Sequence, residues 1–287
     1  MSLKVGIQLF SVRDLMQKDP YETIKKVTEL GYKYIEPANH NALQDDGVGF
    51  GVTAAKLNEL LEQSGAKVVS SHIFPFTEEN APEIIAYNKA IGNKYVVYPV
   101  GYYKSREDIL EVCARLNNIG EMCREEGMYL LYHNHYQEFQ KFEGKTVMDY
   151  IVDETDPECV GLELDTFWAM RAGVDLVETM KHFGTRIKLL HQKDYLPVEG
   201  EPANLFEKWG YDMDVTSSEK FKASYSHAGF TEVGTGVMDI QSIIDTANEL
   251  GSVEYIILEQ DFTQKEQLES VIISMEGFKK YNGIEWQ

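Results

Sequence analysis

The sequence predicts an α/β protein that folds as a (β/α)8 barrel (a TIM barrel), and three observations support this prediction. Short β-rich runs alternate about eight times with longer amphipathic patterns along the 287 residues, and no linker divides them. Glycines stand just after several helical patterns, where a left-handed C-cap is needed. Polar side chains end at least four of the apolar runs, and a barrel of parallel strands gathers all such ends on one face.

Eight runs are predicted as the barrel strands. They cover residues 4–10, 34–36, 67–74, 95–100, 128–133, 160–165, 187–191 and 255–259. The clearest amphipathic stretches between them cover residues 20–30, 53–63, 105–126 and 240–250. The glycines that follow helical patterns are Gly31, Gly65, Gly92, Gly127 and Gly251. Repeated units of helix, glycine and strand indicate parallel strands joined by crossover helices.

A doubly wound sheet is the alternative arrangement of such units. That fold usually carries a glycine-rich phosphate turn after its first strand, whereas here the first strand runs into Gln8-Leu9-Phe10-Ser11-Val12-Arg13. The eight strands favour a barrel, which we predict to be a single domain over residues 1–287. Residues 195–230 are predicted as an irregular loop insertion over the C-terminal face, and their aromatic side chains favour an ordered lid or an oligomer contact.

The composition of the chain argues against several classes of binding partner and several cellular locations. The net charge of −20 argues against nucleic acid, because non-specific affinity for a phosphate backbone comes from clustered Lys and Arg. Cys113, Cys123 and Cys159 lack metal-type spacing, and an odd number suits a reducing compartment. No apolar run approaches a membrane span, and the N-terminal residues show no signal-peptide core. We expect a soluble, cytoplasmic protein that acts on a small molecule, has no nucleic-acid or membrane partner and can form a homo-oligomer.

Three strand ends carry side chains of the kind that bind divalent metals. Asp165 ends an apolar strand and is predicted as a ligand, with the N-cap of a short helix as the alternative. His191 closes the next strand, and carboxylates at equivalent positions favour a ligand over a structural histidine. Glu259 ends the last strand, where a carboxylate can bind a metal and still present an oxygen to a substrate C–H. That dual position suits a general base.

The fifth strand leaves the fourth ligand open among His133, His135 and Glu138. Glu138 best matches an oxygen-rich set for one Mn²⁺ or Mg²⁺ ion, with Co²⁺ also suitable, and His133 and His135 are then substrate contacts or proton donors. If His133 is the ligand instead, the site becomes more like a zinc site. The predicted metal ligands are Glu138, Asp165, His191 and Glu259, and the predicted catalytic residues are Glu259, Glu138 and His133.

Two more polar residues complete the predicted ring of strand ends. Glu36 ends the second strand and His72 lies near the end of the third, and for each a structural hydrogen bond is the alternative. The predicted substrate contacts are Glu36, His72, His135, Trp168, Lys193 and Glu232.

Lys193 and a glycine-containing turn are predicted to face an anionic or hydroxylated part of the substrate. Lys193 is suited to neutralise an oxyanion or a phosphate, unless it forms a salt bridge with Asp194 or Glu232. Gly234 and Gly236 would expose backbone N–H groups toward an anion or sugar hydroxyls, and a plain turn is the alternative.

With these motifs the chain resembles the xylose isomerase-like barrel superfamily, the group of sugar phosphate isomerases and epimerases that also includes endonuclease IV-type enzymes. The resemblance covers nearly the whole chain. It rests on Tyr132-His133-Asn134-His135 with Glu138-Phe139, Leu164-Asp165-Thr166, His191-Gln192-Lys193-Asp194, Glu232-Val233-Gly234-Thr235-Gly236 with Asp239, and Leu258-Glu259-Gln260-Asp261.

The resemblance implies one divalent ion held by Glu, Asp, His and Glu, with two glutamates that handle protons. Asp165, His191 and Glu259 correspond directly to three of these ligands. The chain departs from the pattern at strand five, where ketose epimerases have a glutamate and this chain has His133.

The implied activity is that of a metal-dependent isomerase or epimerase that acts on a sugar, keto-sugar or sugar phosphate through an enediolate. A dehydratase or lyase on a keto-inositol or related polyol, similar to an inosose dehydratase, is the alternative, because the same enediolate can expel a β-hydroxyl. An endonuclease IV-like repair enzyme would need more histidines at the strand ends and a basic face, which the charge of −20 opposes.

Overall fold

A ring of parallel strands organises the structure, a computed structural model that describes residues 2–286. Its eight strands are β1 (Leu3–Gln8), β2 (Tyr34–Glu36), β3 (Ser70–Ile73), β4 (Tyr95–Tyr98), β5 (Tyr129–His133), β6 (Val160–Asp165), β7 (Ile187–Gln192) and β8 (Tyr255–Leu258). They follow one another around the sheet in chain order, and β8 pairs with β1. The predicted barrel is confirmed.

Pro37 divides the second strand, and the ring closes across this break. β2 pairs with the short segment Lys67–Val68, while Ala38–Asn39 beyond the proline pairs with β3. Proline has no N–H to donate to a strand ladder, so the pairing stops at residue 37 and resumes on its far side.

Helices connect the strands on the outside of the ring. The longer ones are α1 (Pro20–Leu30), α2 (Ala54–Ser64), α3 (Ala81–Ala90), α4 (Arg106–Glu125), α5 (Val147–Glu154), α6 (Leu176–Phe183), α7 (Ile240–Leu250) and α8 (Gln267–Phe278). Shorter helices cover Arg13–Lys18, Thr166–Arg171, Leu205–Trp209 and Ser218–Ala223. Gly31 and Gly251 take the left-handed conformation at the C-caps of α1 and α7, with φ of 116° and 67°. None of the helices within residues 2–286 has the length and hydropathy of a bilayer-spanning segment.

The interior of the barrel changes from apolar to polar toward the carboxyl ends of its strands. Buried Tyr34, Val97 and other apolar side chains form a separate cluster inside the ring. Side chains alternate along a strand, so the residue two positions after an interior residue also points inward. Three strands show this step from apolar to polar, in the pairs Leu131 and His133, Leu189 and His191, and Ile257 and Glu259. The polar residues therefore form a layer directly above the apolar one.

Residues 195–230 cover the carboxyl end of the barrel and contain two short helices rather than the irregular loop expected from the sequence. Asp194–Tyr195 and Phe230–Thr231 pair antiparallel at the base of this segment. Phe221 packs against Trp168, with ring centroids 5.3 Å apart. The segment thus supplies an aromatic wall above the polar layer.

Candidate active site

Four buried side chains converge at the carboxyl ends of β5 to β8. His133, Asp165, His191 and Glu259 each place one ligand-type atom so that all four atoms lie within 4.8 Å of one another. The backbone accounts for this convergence, because each residue lies at the end of its strand or one position from it and points into the ring. A donor set of two imidazoles and two carboxylates suits a divalent transition metal.

The imidazole of His133 is held in the tautomer that can bind a metal. Its Nδ1 lies 3.0 Å from the carbonyl oxygen of Pro99, which can only accept, so Nδ1 carries the hydrogen and donates it. Nε2 therefore carries a lone pair, and no residue of the described chain donates a hydrogen bond to this buried atom. It lies 3.4 Å from Oδ2 of Asp165. Burial lowers the pKa of His133, so the ring stays neutral.

His191 is oriented from behind by a buried carboxylate. Its Nδ1 lies 3.0 Å from Oε2 of Glu259, and its Nε2 donates to Oε1 of Glu36 over 2.6 Å. Glu36 in turn accepts hydrogen bonds from Gln8, over 2.6 Å, and from the hydroxyl of Ser70. A carboxylate behind a ligating histidine fixes the ring and raises its basicity. Glu36, predicted as a substrate contact, does not line the cavity and instead accepts a hydrogen bond from His191.

A second buried group lies beside the first. His72 contacts Oε2 of Glu163 through Nε2 at 2.6 Å, and Nε2 of His191 lies 3.3 Å from the same oxygen. Burial lowers the pKa of His72, but Glu36 and Glu163 outweigh it, and the pKa is raised. With His133, the residues His72, Glu163 and His191 form a second group whose ligand-type atoms all lie within 4.8 Å of one another.

The carboxylate of Asp165 caps a short helix with one oxygen and faces the group of four with the other. Its Oδ1 accepts the backbone N–H of Trp168 over 2.8 Å and caps the helix Thr166–Arg171. Its Oδ2 faces His133 and accepts a hydrogen bond from the ammonium of Lys193. The capping oxygen fixes the carboxylate, so the second oxygen is held toward the site.

Glu138 lies outside the group of four, contrary to the ligand set predicted from the sequence. Its Oε1 accepts from the hydroxyl of Tyr132 at 2.9 Å and from the N–H of Gly101 at 3.3 Å, and its Oε2 accepts from the N–H of His135 at 2.8 Å. Burial raises the pKa of Glu138 to about 7, although these hydrogen bonds lower it. The carboxylate is held by donors from β5, from the segment after β4 and from its own loop, and His133 is the strand-five residue that joins the group of four.

A cavity of about 710 Å³ opens above the group of four. Of the predicted site residues, those that line it are His72, His133, His135, Trp168 and Glu259. Nδ1 of His135 and Nε1 of Trp168 are buried without a hydrogen-bond partner in the described chain. Unpartnered buried polar atoms beside a cavity are suited to a ligand with hydroxyl groups.

Arg13 and Asp261 are charged residues of the cavity wall that were not predicted as site residues from the sequence. The guanidinium of Arg13 donates to the carbonyls of Phe10, over 2.9 Å, and Asp261, over 2.8 Å, and lines the cavity. Asp261 also lines it, and burial raises its pKa to about 7. Both are polar residues just beyond a strand end, and that position was the available signal.

A profile of xylose isomerase-like TIM barrels matches residues 24–280. The chain belongs to the xylose isomerase-like TIM barrel family. A sugar phosphate isomerase/epimerase from Parabacteroides distasonis has a similar structure, with a TM-score of 0.75 at 22% identity over 99% of this chain and 96% of its own. A structure of the IOLI protein with a bound zinc atom gives a TM-score of 0.67 at 18% identity over 97% of both chains.

Among curated proteins, an inosose dehydratase from Geobacillus thermodenitrificans is 26% identical over 146 residues. The matched stretch covers 51% of this chain and 45% of that relative. The chain thus matches about half the length of the curated relative. Likeness at these levels shows the fold and the family, and the reaction has to be argued from the site.

The glycine-containing turn of this xylose isomerase-like barrel is filled by the protein itself. The carboxylate of Asp194 accepts the backbone N–H groups of Gly234, over 3.0 Å, Gly236, over 2.9 Å, and Met238, over 3.1 Å. The anion expected at this turn is therefore Asp194. Glu232, predicted as a substrate contact, accepts from Thr263 and Lys265 and lies outside the cavity wall.

Replacing Asp194 by alanine is expected to lower the free energy of unfolding by about 3 kcal/mol, because three half-buried N–H groups lose their acceptor. Asp194→Asn keeps one acceptor oxygen and should lose less. Urea unfolding followed by circular dichroism measures both variants. Equal stability of Asp194→Ala and wild type would contradict the structural role of this carboxylate.

Proposed function

We propose that the protein is a divalent-metal-dependent isomerase or epimerase that acts on a sugar or keto-sugar through an enediolate of the substrate. The main support is the unpartnered lone pair on Nε2 of His133, which faces Asp165 at the floor of the cavity. A buried nitrogen without a donor is costly unless a ligand satisfies it. The IOLI protein, whose structure holds zinc, shares the fold.

In this proposal His133, Asp165, His191 and Glu259 hold the ion, with His133 in the place predicted for Glu138. Two nitrogen donors favour Zn²⁺, Co²⁺ or Mn²⁺ over Mg²⁺, which prefers oxygen ligands. A bound ion of this kind polarises a substrate carbonyl and acidifies the neighbouring C–H.

Glu259 is the proposed base that takes the proton from that carbon. Its Oε2 contacts His191 and lies 2.5 Å from Nζ of Lys193, while its Oε1 accepts no hydrogen bond from any residue between 2 and 286. Burial raises the pKa of Glu259, but Lys193 and then His191 outweigh it and hold the pKa well below its usual range. The carboxylate is thus ionised, and Oε1 is the oxygen left for the substrate.

The location of Glu138 favours a scheme with one proton-carrying carboxylate. A pair of glutamates on opposite faces of the substrate needs both in the cavity, whereas the Glu138 carboxylate is held by a tyrosine hydroxyl and two backbone N–H groups and does not line the cavity. Glu259 alone can carry a proton between adjacent carbons, which is isomerisation. Epimerisation needs a second donor across the cavity, and His72 and His135 line its wall.

Dehydration of a keto-polyol is the second candidate, and two observations favour it. The curated relative with 26% identity is an inosose dehydratase. His72 lines the cavity with a raised pKa, so it can hold a proton for a departing hydroxyl, although Glu163 also accepts that ring. Both candidate reactions begin with removal of the same proton by Glu259. In the isomerase or epimerase a proton then returns to the substrate, whereas in the dehydratase a hydroxyl leaves it.

Incubation of the metal-loaded protein with ketoses and keto-inositols in D2O tests the proposal. Deuterium in recovered sugar without loss of water is the expected result for an isomerase or epimerase. Deuterium exchange with loss of one water would identify the dehydratase. If the protein binds metal but no substrate of either class exchanges hydrogen, the proposed chemistry is wrong.

Replacing Glu36 by glutamine is expected to weaken metal binding about 10–100-fold, because His191 loses the charged partner that orients it and raises its basicity. Glutamine keeps the size of the side chain and one acceptor oxygen. Titration calorimetry with Zn²⁺ and Mn²⁺ measures the change, with the exposed Glu29→Gln on α1 as the control. Unchanged affinity would show that Glu36 has no part in the site.

A further inference from the structure

The ammonium group of Lys193 contacts the carboxylate oxygens that the proposed metal would use as ligands. The side chain is completely buried. Its Nζ donates to Oδ2 of Asp165 and to Oε2 of Glu259, the second over 2.5 Å. Oδ2 of Asp165 also lies 3.4 Å from Nε2 of His133, and Oε2 of Glu259 lies 3.0 Å from Nδ1 of His191.

An ion and this ammonium cannot both keep those contacts. A divalent metal needs its oxygen ligands about 2.0–2.2 Å away, and a second cation against the same oxygens would be repelled strongly in a buried site. Without Lys193 or a metal the two buried carboxylates would lie within 4.8 Å of each other with no full positive charge between them, which is costly. One cation at a time is the arrangement that the contacts allow.

A third carboxylate lies within reach of the same ammonium. Oδ2 of Asp261 is 3.5 Å from Nζ of Lys193 and has no hydrogen-bond partner in the described chain. Asp261 lines the cavity, whereas Lys193 in its present position does not. A small change in the lysine side chain, away from Asp165 and toward Asp261, would free the oxygens and keep the ammonium paired.

We propose that Lys193 is a built-in cation that occupies the site in the metal-free protein, and that metal entry transfers it to Asp261. This inference rests on the proposed metal site. In the loaded protein the ammonium then stands with Asp261 at the cavity wall, where it faces the bound substrate. Lys193 thus stabilises the empty site, competes with the ion and positions a positive charge only after the ion has bound.

Metal affinity in a double-mutant cycle tests the transfer. Lys193→Met removes the competitor, and we expect Zn²⁺ and Mn²⁺ to bind about tenfold more tightly, the scale of coupling between contacting charges. Asp261→Asn removes the receiving carboxylate, and we expect binding about threefold to tenfold weaker. In the Lys193→Met background, Asp261→Asn should change affinity by no more than about twofold, since no ammonium needs a new partner.

The double-mutant cycle distinguishes transfer of the Lys193 ammonium to Asp261 from a general effect of the Asp261 charge on metal affinity. If Asp261→Asn weakens binding by the same factor with and without Lys193, Asp261 acts only as a nearby negative charge and the transfer is wrong. If Lys193→Met binds metal no better than wild type, the competition is wrong while the proposed metal site stands. Lys188→Met is the matched control, because Lys188 lies at the opposite end of β7 and donates to the carbonyl of Thr185.

Thermal unfolding gives a readout that does not depend on catalysis. Lys193→Met should lower the melting temperature of the metal-free protein, and added Zn²⁺ should raise it more in the variant than in wild type. If the variant folds only when Zn²⁺ is present during refolding, that result supports the proposal. If neither wild type nor Lys193→Met binds Zn²⁺ or Mn²⁺, the metal site itself is wrong and the inference falls with it.

Discussion

Replacing Glu259 by glutamine is expected to lower turnover about 10²–10⁴-fold, the usual contribution of a general base. Glutamine has nearly the same shape and can still give one oxygen to a metal, but it cannot take a proton at Oε1. The loss should therefore appear in kcat even where metal is bound. Hydrogen exchange between substrate and D2O measures the step directly, with metal content determined on the same sample.

Glu254→Gln is the matched control for this experiment. Glu254 precedes β8 at its opposite end and pairs with Lys94 on the surface. Its substitution should leave exchange unchanged. If Glu259→Gln with verified metal content still exchanges substrate hydrogen at close to the wild-type rate, Glu259 is only a ligand. The base would then have to be one of the other cavity residues, His72 or His135.

Metal binding should be lost in His133→Ala and retained in Glu138→Gln. Alanine removes the lone pair of Nε2, one of four proposed ligands, and a loss of more than about 100-fold in affinity is expected because even outer contacts contribute 10–100-fold. Glutamine at 138 keeps the hydrogen bonds to Tyr132 and Gly101 and loses the acceptor for the N–H of His135. Elemental analysis and titration calorimetry measure both variants.

The stability of the two variants serves as the control for their metal content. Loss of one buried hydrogen bond in Glu138→Gln should lower the free energy of unfolding by about 1–3 kcal/mol, which leaves a folded protein to titrate. The reverse result, with metal lost from folded Glu138→Gln and kept by His133→Ala, would restore Glu138 as the ligand. It would also restore a pair of glutamates as the proton carriers.

The fold and three of the four converging residues were predictable from the sequence because both depend on local patterns. Alternating runs and glycine C-caps indicate parallel strands, and parallel strands gather their carboxyl ends on one face. Asp165, His191 and Glu259 each end or directly follow an apolar run, and the alternation along a strand fixes the direction of each side chain. Their convergence within 4.8 Å follows from the closure of the barrel.

The partners of each polar group were decided only by the tertiary structure. His133 and Glu138 both suited a ligand by type and spacing, and the choice between them depends on the Pro99 carbonyl and the Gly101 N–H, which lie on a neighbouring part of the barrel. The same holds for Lys193, whose partners Asp165 and Glu259 come from other strands. Chain spacing sets where a side chain points, but a buried charge or lone pair is satisfied by whatever the packed neighbours present. Those neighbours are distant in sequence, so only the closed barrel determined which side chain of strand five joined the group of four.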